Sequence, residues 1–461
     1  MKSDDSARAR EKIRRVGLIS PCSGNLGNAA IMTSMVENLK TRIRGVEIVG
    51  ITLSQEDTAR RHGIATFPIT GTTHGKFYYL STPAGAPVGY KHPASAVASL
   101  KAALKQIGWM RKIIANLRVA RLELKHIIRS ARLVSSLDRV IVTGGGALDD
   151  FWGGPWGQPW TLFKFTILGR LLKVPVLFVS VGMCTLDHPL SRLFVHGALH
   201  FSQYRSYRDV GSEKLVKSMF PRVSGSVWPD LAYGYRCPEL PPIPQRLKEG
   251  NRLLIAVSPI AFCDPRSWPV SDGARYSRYL TELAAFLKWA AIAGHKLMLF
   301  ATDGCDIDSM GDLVRILSSE SIDPSQMQIL ASPPSQTTEE LLKDIASADI
   351  VIASRLHGVM LSHLIGKPVI ALSFDRKVDA HMIEIGQQDY CMNIDTFTLQ
   401  TLVERFTDLN EARETELARL EDAVRHRRIK AETQYDILFG ERTLKSEEVT
   451  ILDPSVVKVQ A

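Results

Sequence analysis

The sequence predicts an α/β fold made of two units, each a parallel β-sheet covered by helices, with a cleft between them. Three observations predict it. Runs such as "DRVIVTG", "VPVLFVSVGM", "ADIVIAS" and "KPVIALSF" are apolar at successive positions, so their strands are covered on both faces. They alternate with longer segments of helical period, the rhythm of parallel sheets with crossover helices. Finally, "PELPPIPQRLKEGN" (238–251) carries four prolines, after which the same rhythm restarts. A chain of 461 residues can bury two such cores. The organisation expected is a first unit over 13–237 with a helical insertion at 97–135, a second unit over 252–400, and a C-terminal helix and weakly ordered tail over 401–461.

Taken in order, "RRVGLISPCSGNLGNAAIMTSMVENLKTR" reads as strand, glycine turn and helix, and "VEIVGITLS" (46–54) as the next strand. Residues 55–95, rich in Gly, Pro and Thr, read as an irregular insertion. "DRVIVTGGGALDD" is a buried strand ending in three glycines, followed by a helix at 160–172 and the strand "VPVLFVSVGM". "YRSYRDVGSEKLV" is a short strand running into a helix, and "SVWPDLAYG" closes the first half. The second half reads as strands "RLLIAVSPI", "HKLMLFATDG", "MQILAS", "ADIVIASRLHG" and "KPVIALSF", with helices at 276–293, 337–346 and 358–366 and helical period over 397–436.

Composition bounds the function. Hydrophobic content of 45% with 23% charged residues is that of a soluble globular protein. Lys and Arg number 57 against 48 Asp and Glu, a net charge of +9 that suits anionic ligands or an anionic surface. The cysteines at 22, 184, 237, 263, 305 and 391 form no C-x-x-C pair, against a zinc ribbon or disulfide scaffold and in favour of a reducing compartment. The charged start "MKSDDSARAREKIRR" has no apolar run behind it, and no segment reaches the ~18 apolar residues of a membrane span. A cytoplasmic setting is expected, peripheral to the inner membrane face at most, with no nucleic-acid partner.

Ligands of open parallel sheets bind beyond the carboxyl ends of the strands, and the motifs here follow strands. "SGNLGNAAI" (23–31), with Asn25, offers a tight turn and free helix N–H groups, or is a plain strand-to-helix turn. In "VTGGGALDDFWGGPWG", Gly144, Gly145 and Gly146 let backbone approach a ligand, with Asp149, Asp150, Trp152, Trp156 and Trp160 nearby. A sharp turn with core tryptophans is the alternative. "RSYRDVGS" places Arg208, Asp209 and Ser212 at a strand end, where Asp209 or Ser212 could cap the next helix. Asp306 and Asp308 form a D-x-D that could hold a cation, or cap and open a helix; no metal site is expected. In "ASRLHG", Gly358 is read as opening the helix, so that Arg355 and His357 stand on the turn at the sheet edge. Arginine supplies a planar fork for phosphate or carboxylate, and histidine exchanges a proton near neutral pH. Lys377, Asp379 and His381 could extend that cationic site, or form a solvated helix start.

The order G-N-x-G-x-A, G-G-G, R-D-x-x-S, P-D, S-R-L-H-G and K-P-V-I-A, from about Val16 to Gly386, resembles the polysaccharide pyruvyl transferases. The resemblance implies two Rossmann-like halves in a GT-B-like arrangement around a central cleft. It implies transfer of a pyruvyl group from phosphoenolpyruvate to a sugar of a surface polysaccharide, or of its lipid-linked precursor, as a ketal. No cofactor is needed beyond the donor substrate. The matching positions are Arg208, Arg355, Leu356 and His357. Asn28 stands where many relatives have an acid, which leaves the N-terminal turn as a structural or donor-contact loop.

The residue chemistry agrees with this reading. The donor's phosphate and carboxylate need cations, which Arg208, Arg355 and Lys377 can supply, and His357 suits proton transfer. Gly144, Gly145, Gly146, Asp149, Trp152 and Asn25 complete the expected substrate contacts, with His357 and Arg355 as the catalytic pair. Two other readings stay open: a glycosyltransferase of the same fold using a nucleotide sugar, and a non-catalytic glycan-binding or assembly protein. The acceptor sugar is not specified. One feature lies outside the cleft. Arg118, Arg121, Lys125, Arg129 and Arg132 share one helix face beside Leu117, Ala120, Leu124, Ile127 and Ile128, with Glu123 the only acid between 111 and 135. Such a helix could rest on an anionic bilayer, or bury its apolar face in the core.

Overall fold

The computed structural model describes residues 13–20, 24–71, 108–151, 153–236, 252–268, 270–319, 327–329 and 337–440. The proline-rich 238–251 segment, Trp152, most of 55–95 and the tail after 440 fall outside them.

Two sheets are present. The first contains β1 (Arg15–Ser20), β2 (Glu47–Thr52), β3 (Ala65–Pro68), β4 (Arg139–Thr143), β5 (Val176–Val181), β6 (Tyr204–Tyr207) and β7 (Ser226–Val227), in the order β3-β2-β1-β4-β5-β6-β7. The second contains β8 (Leu254–Ser258), β9 (Lys296–Leu299), β10 (Met327–Ile329), β11 (Ile350–Ala353), β12 (Val369–Ser373) and β13 (Cys391–Asn393), in the order β10-β9-β8-β11-β12-β13. Neighbouring strands are parallel throughout. The central strands are buried at every position in β5, β8, β11 and β12, which is why they read as unbroken apolar runs.

Strand order reverses between β1 and β4 and again between β8 and β11. These switch points open a crevice at the carboxyl edge of each sheet. Asn25 and Gly27 follow β1, the three glycines follow β4, and Arg355 follows β11. The two crevices meet. Leu26 N donates to Thr302 O at 2.8 Å, Gly304 N donates to Gly24 O at 3.3 Å, and Thr338 Oγ1 donates to Leu26 O at 3.0 Å. One apolar core runs from Leu18, Ile31 and Met35 of the first half into the second sheet and Tyr435.

Several elements differ from the sequence reading. Residues 55–68, expected to be irregular, form a helix at Gln55–His62 and the edge strand β3. The helix carries Glu56 and Asp57 in its first turn and Arg60 and Arg61 in its last, which suits the helix dipole. Gly63 ends it in the left-handed conformation. Helix Pro189–Phe201 and strand β13 escaped the sequence reading. The helical stretch at 397–436 is two helices, Leu399–Glu411 and Arg413–Phe439.

The second of these helices is no loose appendage. Its side chains return to the first half: Tyr435 Oη lies 2.9 Å from Ser34 Oγ, Gln434 Oε1 accepts from Ser180 Oγ at 2.9 Å, and Arg42 pairs with Glu432 at 2.6 Å and Asp436 at 2.8 Å. Its middle holds the second half, where Arg428 donates to Leu364 O at 3.3 Å. The helix therefore straps both halves together.

Candidate active site

The helix that follows β11 takes in His357, two residues earlier than the sequence implied. The helix begins at Leu356, not Gly358, and Arg355 is its N-cap residue. His357 therefore sits in the first helical turn, where its ring packs on Gly27 of the first half. A Cβ at Gly27 would lie 2.0 Å from His357 Cγ, so the second glycine of G-N-x-G makes room for this histidine. His357 Nε2 is buried and has no hydrogen-bond partner among the described residues. Burial lowers its pKa from 6.5 to about 4; Asp230 opposes the shift, while Arg208, Lys377 and Arg355 add to it. The expected near-neutral histidine is thus a neutral imidazole at pH 7.

The expectation that Arg355 offers its fork to a ligand meets a different geometry. Its Nε and Nη2 both bond the carboxylate of Asp306, Nη2 at 2.8 Å to Oδ1, and Asp306 is fully buried. Its third nitrogen lies 3.8 Å from Asp303. Asp303 in turn accepts from Asn25 Nδ2 at 2.8 Å, across the two halves. Asn25 also caps the helix Leu26–Arg42, accepting from Asn28 N at 3.0 Å. Arg355 and Asn25 therefore brace the junction between the halves. This also corrects the D-x-D reading. Asp303 caps the short turn Gly304–Asp306, Asp306 is the buried partner of Arg355, and Asp308 stands in the first turn of the following helix. Among the described residues no group of three or more His, Cys, Asp or Glu is placed to hold a metal ion.

The cleft holds a pocket of about 270 Å³ between the halves. Arg208 and Tyr233 enter from the first half, Leu356, Lys377 and His381 from the second, and Arg427 from the strapping helix. Arg208 is almost wholly buried, 3.3 Å from Asp209 and 3.6 Å from Asp230. Burial opposes its charge, but Asp230 and Asp209 outweigh it and keep the guanidinium protonated. Asp209 also caps its helix, accepting from Ser212 N at 2.6 Å and from Ser212 Oγ at 2.9 Å, the capping reading of R-D-x-x-S. Lys377 pairs with Asp375 at 2.8 Å and stays part-exposed.

Of the expected contact set, Arg208, Leu356 and Lys377 line the pocket, and His357 lies within electrostatic reach of Arg208 and Lys377. Asp149 lies beside Lys377. Burial pushes its carboxyl above the usual carboxylate range, against the hydrogen bond from Phe151 N and the charge of Lys377. The glycine turn works mainly inward. Gly144 and Gly145 have φ of 39° and 66°, and a Cβ on Gly145 would stand 2.9 Å from Asn28 Oδ1. Gly146 alone is exposed with open space around it. Trp156 packs edge-on against both Trp160 and Phe194, Trp160 is tilted against Phe194, and neither tryptophan lines the pocket. His381, grouped with the cations on sequence, is a buried neutral ring whose pKa burial drives well below its ordinary value. Asp379 sits near Cys391, its Oδ1 accepting from Sγ at 3.5 Å. Tyr233, Glu384 and Arg427 were missed, because no local pattern marks a residue whose role is to face another element.

These buried neutral histidines are expected to make the fold less stable in acid. His357, His363 and His381 all have folded pKa values below the unfolded one, with His363 lowered to about 3. Below the unfolded pKa of about 6.5 the unfolded chain binds more protons, so stability falls as pH falls. For His357 the loss reaches roughly 3 kcal/mol at and below its folded pKa. The melting temperature is expected to drop between about pH 6.5 and pH 4. A flat profile across that range would contradict the burial of these rings.

The fold matches solved structures at low sequence identity. The S. aureus MnaA–UDP co-structure aligns with TM-score 0.51 at 10% identity, covering 89% of this chain and 91% of that one. A putative UDP-N-acetylglucosamine 2-epimerase from Listeria monocytogenes aligns with TM-score 0.55 at 10% identity, covering 92% and 95%. UDP-GlcNAc 2-epimerase from Neisseria meningitidis bound to UDP-GlcNAc aligns with TM-score 0.50 at 12% identity, covering 88% and 94%. At such identities the likeness shows the fold alone, two parallel sheets in the GT-B arrangement. No curated protein matches the chain. The profile described as polysaccharide pyruvyl transferase matches residues 25–376, from the Asn25 turn through S-R-L-H-G to the helix that bears Lys377. The chain belongs to the polysaccharide pyruvyl transferase family, a family of enzymes.

Proposed function

We propose that this protein transfers the pyruvyl group of phosphoenolpyruvate to two hydroxyls of a sugar in a surface polysaccharide or its precursor, closing a ketal and releasing phosphate. The observation that carries this reading is the convergence of Arg208 and Lys377, from opposite halves, on one pocket beside His357. The trianionic donor needs paired cations, and a buried arginine already flanked by acids keeps its charge without water. The proton balance is closed: one hydroxyl proton ends on the methylene carbon, the other on the released phosphate. Neutral imidazoles that pass protons on are therefore sufficient, and no metal is required by the balance.

The test is purified protein with phosphoenolpyruvate against a panel of nucleotide sugars, reading phosphate or nucleotide release. Phosphate release that depends on a sugar acceptor supports the proposal; nucleotide release supports a glycosyltransferase. Arg208→Lys is expected to raise KM for phosphoenolpyruvate by ~10-fold or more, since a point charge cannot replace the fork. An unchanged KM and kcat would remove Arg208 from the donor site.

A membrane-facing role for the helix Gly108–Val134 is part of the same proposal. Leu124 and Ile128 are 59% and 49% exposed, so this part of the apolar face is not in the core, whereas Ile127 packs partly buried against it. Exposed Arg121, Lys125, Arg129 and Arg132 stand among them. Glu123 is turned inward, bonded to Lys164 at 2.8 Å and Trp160 at 2.9 Å. Among the described residues no helix is long and apolar enough to cross a membrane. An anionic bilayer surface on the cytoplasmic side, carrying a lipid-linked acceptor, fits both the charge and the exposed side chains. Each basic residue adds about 1 kcal/mol of binding near such a surface. Co-sedimentation with anionic liposomes is expected to weaken with salt, and again when Arg121, Lys125 and Arg129 become Gln. Equal recovery of both proteins in the supernatant at low salt would rule the surface out.

A further inference from the structure

A buried chain of hydrogen bonds ends at the pocket. Glu416, on the strapping helix, is held by Arg419 at 2.9 Å and accepts from Gln387 Nε2 at 3.4 Å. With its amide nitrogen turned to a carboxylate, Gln387 presents Oε1 to His363 Nε2 at 3.0 Å. The reversed amide would set two oxygens against each other. His363 Nε2 must then carry the proton, which leaves His363 Nδ1 as an acceptor. His381 Nε2 lies 3.0 Å from that Nδ1 and must be the donor. Burial keeps the His381 ring neutral, so with the proton on Nε2 its other nitrogen, Nδ1, is a bare lone pair. It has no hydrogen-bond partner among the described residues, and its ring lines the same pocket as Arg208 and Lys377. Each link is fixed by the donor and acceptor inventory of these groups.

We infer that His381 accepts one of the two hydroxyl protons of the acceptor sugar through Nδ1, and that His363, Gln387 and Glu416 are positioning residues holding the required tautomer. This rests on the pyruvyl-transfer reading. The step is the addition of the second sugar hydroxyl to C2, which already bears the methyl group and the first sugar oxygen, as the C2–O bond to phosphate breaks and its electron pair leaves on the phosphate oxygen. The oxygen lone pair forms the new C–O bond, the O–H pair stays on oxygen, and the proton moves to His381 Nδ1. The imidazolium then returns the proton to the departing phosphate. A weakly basic imidazole suffices, because an oxygen that has just added to an electron-poor carbon is itself strongly acidic. Ketal formation consumes two hydroxyls, so it has work for a second histidine besides His357.

The experiment uses the full chain labelled with ¹⁵N-histidine, the His381 signals being assigned from their loss in His381→Gln. The expected spectrum shows His381 protonated at Nε2 and bare at Nδ1; a proton on Nδ1 overturns the inference. Gln387→Met removes the acceptor without emptying the site. It is expected to mix the tautomers and lower kcat by roughly 10-fold or more, with KM for phosphoenolpyruvate unchanged. His381→Gln keeps a hydrogen-bond acceptor but cannot take a proton, and is expected to lose ~10²-fold or more in kcat. An active wild type with both variants unimpaired overturns this role alone. A folded wild type that transfers no pyruvyl group overturns the reaction itself, while the spectrum still decides the tautomer chain.

Discussion

His357→Ala is expected to lower kcat by ~10²–10⁴-fold, the loss of a positioned proton-transfer group. That range corresponds to roughly 3–5 kcal/mol of transition-state stabilisation. The imidazole is held by the helix Leu356–Leu364 behind and by Gly27 in front, with Nε2 buried and unpartnered. Its pKa of about 4 makes it a ready acceptor at neutral pH rather than a standing acid. The acidic limb of kcat/KM is therefore expected near pH 4, not near the ordinary histidine value. Gly27→Ala is expected to copy much of the loss, because its new methyl group must displace the ring. Full activity in folded His357→Ala, or an acidic limb near 6.5 in the wild type, would sink this assignment.

Asp306→Ala is expected to destabilise the protein by ~3–5 kcal/mol, because it leaves the Arg355 guanidinium buried without its partner. Asp306 is fully buried, and Arg355 is bonded to both of its carboxylate oxygens. The pair holds the β11 turn that carries His357, and through Asp303 and Asn25 it reaches the other half. Arg355→Lys is expected not to restore the wild type, since a single ammonium cannot bond both oxygens from that backbone position. Removing both charges with apolar residues of similar volume is expected to cost less than Asp306→Ala alone. Urea unfolding midpoints read these differences. If Asp306→Ala unfolds like the wild type but raises KM for phosphoenolpyruvate, Arg355 serves the donor rather than the junction.

The sequence by itself determined the central strands, because both faces of a parallel sheet are buried and the apolar run is local; the edge strands β3 and β13 lack such a run and escaped it. It also determined which motifs follow strands, and hence which residues reach the carboxyl edge. Arg208, Leu356, Lys377 and His357 were legible for that reason. What each of them does there was decided by the tertiary structure. Arg355 looked free because its partner Asp306 lies on another strand's turn, and His357 looked near-neutral because burial leaves no local trace. His381 looked cationic for the same reason, whereas burial keeps its ring neutral and His363, Gln387 and Glu416 set which nitrogen carries the proton. The helix Arg413–Phe439 gives little one-sided apolar pattern, since different faces pack on the two halves along its length. Its Arg427 reaches the pocket only because the chain turns back. Charge partners, burial and tautomers are set by residues distant in sequence, which meet only once the sheets have formed and their helices have packed.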